Sequence, residues 1–141
     1  MRSFSTTSSL LSKLTIASAM ILGSERLRGY RWAGFRLLRP GIVRPGYFRW
    51  IGAFSPGVRP AAFSDEFNNA LKDPEKINKD LLFFDIATGD DDRNVGEDVT
   101  RFEDQLKQAN VQHVYTLLAG THSMLVWRPA LYSFLQQIFK R

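Results

Sequence analysis

The sequence predicts an α/β protein: three parallel strands with flanking helices, behind an irregular N-terminal segment. Three observations predict it. Three runs of seven to nine mostly apolar residues are continuous rather than alternating, as strands covered on both faces require. Segments of helical spacing separate these runs, the pattern of a parallel sheet with right-handed crossovers. Each run also ends at a glycine or at Pro-Gly, where a chain leaves a sheet.

Residues 47–55 form the first predicted strand, closed by Pro56-Gly57. Residues 61–71 and 74–80 read as short helices. Asp73-Pro74 suits a helix start, because proline lacks an amide that would have no partner at the first helical position. Residues 81–89 form the second strand. Residues 96–110 place Val99, Phe102, Leu106 and Ala109 on one helical face. Residues 113–119 form the third strand. A last helix from about Pro129 aligns Leu131, Phe134, Leu135 and Ile138.

The 141 residues suffice for one domain, with 1–45 an irregular basic segment and 46–141 the ordered part. An apolar fraction of 44% with 23% charged residues belongs to folded chains. The absence of cysteine excludes disulfides, a thiol nucleophile and a cysteine-ligated metal. The net charge of +5 conceals a division: residues 1–60 carry ten Lys and Arg against Glu25 alone, whereas 61–141 are net acidic. Such asymmetry ordinarily points to nucleic acid or a membrane. The N-terminus has the short apolar run and Arg/Ser content of a targeting peptide. Lys13 interrupts that run, however, and it is too short to span a bilayer.

In an open parallel sheet, functional groups gather beyond the carboxyl ends of the strands. Gly89-Asp90-Asp91-Asp92 follows the second strand and Gly120-Thr121-His122 the third. An acid after one strand and a histidine after the next match the later part of a Ser…Asp…His order. The acid would fix the imidazole tautomer, and the histidine would take a serine proton. Three consecutive aspartates also suit a solvated turn. They lack the spaced oxygen ligands of a metal loop, so neither metal nor cofactor is expected. His113 opens a strand and reads as structural; His122, in a post-strand loop, is the catalytic candidate.

The segments Ile51-Gly-Ala-Phe-Ser-Pro-Gly57, Ala87-Thr-Gly-Asp-Asp-Asp92, His113-Val-Tyr and Gly120-Thr-His122 through Trp127-Arg-Pro-Ala-Leu131 carry a family resemblance. Over roughly residues 40–141 the chain resembles the α/β-hydrolase esterases that include feruloyl, acetylxylan and enterochelin-esterase-like proteins. The resemblance implies a partial α/β-hydrolase fold and, by descent, hydrolysis of small-molecule or carbohydrate-linked esters. It assigns Asp92 as triad acid and His122 as triad base, with Asp90 and Asp91 flanking the acid. A secreted or periplasmic location would fit the family.

The family's serine belongs in Gly-x-Ser-x-Gly-Gly, on a sharp strand–helix turn. This chain has Gly29-Tyr30-Arg31-Trp32-Ala33-Gly34 there, so Arg31 occupies the nucleophile position. Guanidinium is always protonated and offers no nucleophilic oxygen. The genetic code supplies an explanation. If each codon borrows the last base of its predecessor, Trp32-Ala33 yields a glycine codon and Met20-Ile21 an aspartate codon. With permitted synonymous choices, residues 7–38 reread as a segment containing Gly-Leu-Ser-Met-Gly-Gly. The expectation is a frameshifted segment joined to an authentic esterase C-terminus, catalytically defective alone. The frame would be regained near Leu38–Arg39. Shifted codons then account for the excess of arginine without a nucleic-acid partner.

Two competitors stand beside this reading. Arginines from 26 to 49, interleaved with aromatics, form the composition of a nucleic-acid-binding module, though no recognition motif is present. Alternatively, the chain is one half of a two-chain esterase, or self-associates through an exposed sheet edge.

Overall fold

The computed structural model describes residues 33–44, 46, 48–58 and 64–138. In chain order these form α1 (Ala33–Val43), β1 (Trp50–Phe54), α2 (Asp65–Ala70), α3 (Pro74–Asp80), β2 (Phe83–Gly89), α4 (Gly96–Gln108), β3 (Val114–Leu118) and α5 (Met124–Ile138). The strands form one parallel sheet in the order β1-β2-β3, with Ala53 opposite Ile86 and Gly89 opposite Leu118.

Alternation along the strands divides the core into two layers. Ile51, Ala53, Phe84 and Ile86 face α1 to α4, where they pack with Leu38, Ile42, Phe67, Ile77, Phe102 and Leu106. Phe54 and Ala87 face α5, where they meet Val126, Trp127, Ala130 and Phe134. Phe134 lies edge-on to Phe54 and stacked near Phe83, at centroid separations of 6.1 and 5.9 Å. β1 and β2 are thus sandwiched between helices, which explains their nearly continuous apolar runs. β3 departs from the expectation: it lies at a sheet edge with Val114 and Leu117 exposed, so its apolar run is not matched by burial on both faces.

Local chemistry sets the helix starts. Ser64 caps α2 by accepting from the Phe67 amide, and Asp73 caps α3 by accepting from Lys76, each at 3.3 Å. Residues 61–63, expected to be helical, lie outside the described residues.

Two expectations need correction. No regular element was expected before residue 46, yet α1 is a helix despite Pro40 inside it. Leu38 and Ile42, four residues apart, are both fully buried on its inner face. Burial of this pair outweighs the missing proline amide. The last helix begins at Met124, not Pro129. Val126 and Trp127 are buried and donate to the Ser123 carbonyl, which fixes a first turn upstream of the proline.

Among the described residues, no helix is long and apolar enough to cross a membrane. Within the basic-aromatic stretch, Phe48 is buried in the core, and Arg39 pairs with Glu66 at the surface.

Candidate active site

The carboxyl ends of β2 and β3 are drawn together by backbone. The amides of Asp90 and Asp91 donate to the carbonyls of Leu118 and Gly120, at 2.8 and 2.9 Å. In return the Gly120 amide donates to Asp90 Oδ1 at 2.9 Å. This approach needs glycine. A β-carbon on Gly89 would lie 2.3 Å from the Gly120 carbonyl oxygen. Gly120 has φ +138°, and a β-carbon there would come within 2.8 Å of Val126.

The three aspartates have different fates. Asp90 is exposed and ties the loops together; Asp91 is exposed and pairs with Arg93 at 3.1 Å. Asp92 turns inward and its side chain is fully buried. Its Oδ1 accepts from the amides of Asn94 and Val95, both at 3.1 Å, just before α4. Its Oδ2 lies 2.8 Å from His122 Nδ1. Burial acts to raise the Asp92 pKa but is outweighed by the hydrogen bonds of its polar neighbours, that of His122 first, so the carboxyl titrates below its ordinary range.

Because the carboxylate can only accept, Nδ1 must carry the proton of the bond. In the neutral ring this leaves the lone pair on Nε2, the atom that would act as base. Trp127 fixes the ring plane: the two rings meet edge-on, 4.8 Å between centroids at 86°. The arrangement holds a tautomer and an orientation, the requirements of a general base.

His113 lies at the other end of β3. Nδ1 is 2.7 Å from the Val111 carbonyl, and Nε2 is 3.3 Å from Glu103 Oε1, which also binds Lys107. Both ring nitrogens are engaged in joining α4 to β3. Arg31, at the expected nucleophile position, lies outside the described residues.

Three contributors escaped the reading of the residues. Ser55 and Thr88, both fully buried, stand behind Asp92, and Trp127 stands against His122. Ser55 was findable, since it occupies the post-strand position of β1 that marked the acid and histidine on β2 and β3. Asp85, a charged residue inside the apolar run of β2, is buried with Oδ1 unpartnered. Burial lifts its pKa from 3.8 to about 6.

No family model matches the sequence. Among solved structures, a ferulic acid esterase superposes with a TM-score of 0.54 at 21% identity. The match covers 76% of this chain and 48% of that one, so this chain spans about half the length of the esterase it resembles. At that identity the likeness is one of fold: three parallel strands and their helices are distantly esterase-like.

Proposed function

We propose that this chain carries the acid–base half of a carboxylic-ester hydrolase site, with Asp92 as acid and His122 as base. One observation carries the reading: His122 Nδ1 lies 2.8 Å from a buried carboxylate, at the carboxyl ends of adjacent parallel strands. In the reaction, Nε2 takes the proton of a serine hydroxyl as that oxygen attacks the acyl carbon. It then returns the proton to the leaving alcohol. Asp92 stabilises the imidazolium formed between these steps. The neighbour's name and the family resemblance suggest phenolic or acetyl esters linked to carbohydrate.

With Arg31 where the serine belongs, the chain alone does not turn over esters by this route. Purified protein should hydrolyse p-nitrophenyl acetate no faster than a His122→Ala variant and should not react with a fluorophosphonate. Serine-type turnover abolished by that reagent would overturn the assignment of Arg31. A chain carrying the shifted reading of residues 7–38, together with an upstream esterase half, should label at the new serine and lose activity in His122→Ala. If that complete chain fails to label, the ester-hydrolase reading falls. The coding DNA tests the frameshift directly, since its shifted frame must contain the elbow.

A further inference from the structure

β1 ends in a residue that its backbone disfavours. Ser55 has φ 45°, in the left-handed region where side chains other than glycine are strained. It is fully buried, and its amide donates to the Ala87 carbonyl at 2.7 Å. Glycine would make this turn with less strain, so the hydroxyl needs a reason beyond the turn.

The reason lies in its neighbours. Ser55 Oγ is 3.3 Å from Thr88 Oγ1, which is 3.4 Å from Asp92 Oδ2. A hydroxyl has one proton to give, and an ionised carboxylate has none. Thr88 therefore donates to Asp92, and Ser55 donates to Thr88. His122 reaches the same Oδ2 at 2.8 Å, while the amides of Asn94 and Val95 reach Oδ1. These four donors fill the acceptor positions of the carboxylate. Both hydroxyl contacts are long for O–H···O, so their effect is more directional than energetic.

We infer that Ser55 and Thr88 are positioning residues for the acid. They hold the Asp92 carboxylate from its buried side, so that Oδ2 stays fixed toward His122 Nδ1 as the imidazole gains and loses its proton. This inference rests on reading Asp92 and His122 as an acid–base pair. The strain at Ser55 is retained because glycine would break the chain of donation at its first member.

Carboxyl-carbon NMR titration of Asp92 in the full chain tests it, alongside the resonance of the His122 Nδ1 proton. Ser55→Gly and Ser55→Ala should each raise the Asp92 midpoint by roughly half a pH unit or more, as expected when a carboxylate loses donor support. Both should also shift the Nδ1 proton signal. Ser55→Gly should do so while melting no lower than the wild type, because it relieves the strained φ. A purely structural serine would leave both signals in place. Thr88→Val should give the larger effect, and Thr88→Ser should restore the wild-type values. Since Thr88→Val empties a buried acceptor position and risks unfolding, Ser55→Gly decides alone: unchanged signals in a folded variant overturn the inference. His122→Ala separates the two claims. If it leaves the Asp92 midpoint unmoved, the acid–base pair itself is wrong. If it raises the midpoint while Ser55→Gly does not, only the positioning role fails.

Discussion

Gly89 sets how near the acid-bearing loop comes to the histidine-bearing one. An alanine methyl there would collide with backbone atoms of Gly120 and Thr121, which have no rotamer to yield. Gly89→Ala should therefore cost about 2 kcal/mol or more in urea denaturation, in the range of overpacked sites, and should weaken the Asp92–His122 bond. Asp92 meets four donors through two oxygens, the Asn94 and Val95 amides at Oδ1 and His122 and Thr88 at Oδ2, and substitution can separate the two sets. Asp92→Asn keeps an oxygen for the Asn94 and Val95 amides but presents an NH2 group to His122. Asp92→Ala removes both. We expect Asn to cost less stability than Ala, by about 1 kcal/mol, with both losing the Nδ1 proton resonance. By residue type the three adjacent aspartates were alike, and only the family resemblance singled out Asp92. Burial separates them, because only the loop geometry decides which side chain turns inward and which face water.

At the scale of elements, β2 and the loop that follows it carry an opposing pair of carboxyls. Asp85 sits within the strand facing α5, and its pKa is raised to about 6 by burial. The folded state thus binds this proton more tightly than the unfolded chain. Asp85 therefore lowers stability as pH rises from about 4 to about 6, by roughly 3 kcal/mol in full. Asp92 has the opposite sign: its lowered pKa stabilises the fold above the ordinary carboxylate range and is lost as pH falls through the folded value. Asp85→Asn should match the wild type near pH 4 and exceed it near pH 8 by roughly 2–3 kcal/mol, as read by urea midpoints at the two pH values. Equal midpoints near pH 8 would show that Asp85 finds a partner when ionised. β1 and β2 were legible because burial on both faces leaves an uninterrupted apolar run, whereas β3 carries such a run while lying largely exposed at a sheet edge. α1 was not, because Pro40 and Gly41 argue against a helix locally and only the packing of Leu38 and Ile42 supplies the opposing energy. The start of α5 was missed for a related reason. Pro129 resembles a first-turn proline, while the true first turn is set by burial of Val126 and Trp127.

On the scale of the whole molecule, one thin sheet separates two apolar layers, one packed against α1 to α4 and the other against α5. Phe134 fills the α5 side against Phe54, Phe83 and the bare face of Gly52. Phe134→Ala should cost about 3–5 kcal/mol, a large share of the 5–15 kcal/mol typical of a domain. The near-ultraviolet melt of the variant reads this loss. A small loss would mean that α5 contributes little to the fold. The sequence by itself determined the α/β class, the parallel strands, α3 and α4, and that Asp92 and His122 follow the ends of neighbouring strands. Those features follow from periodicity and end signals, which act over a few neighbouring residues. The family resemblance already pointed to Asp92 among the three aspartates; only the tertiary structure decided that Ser55 and Thr88 stand behind it, that Trp127 meets the His122 ring edge-on, and that residues 33–43 join the core as a helix. The Asp92–His122 and Ser55–Thr88 contacts span 30 and 33 positions in the chain, brought about by glycine-permitted loop approach and burial. No local pattern encodes which partners that approach will supply.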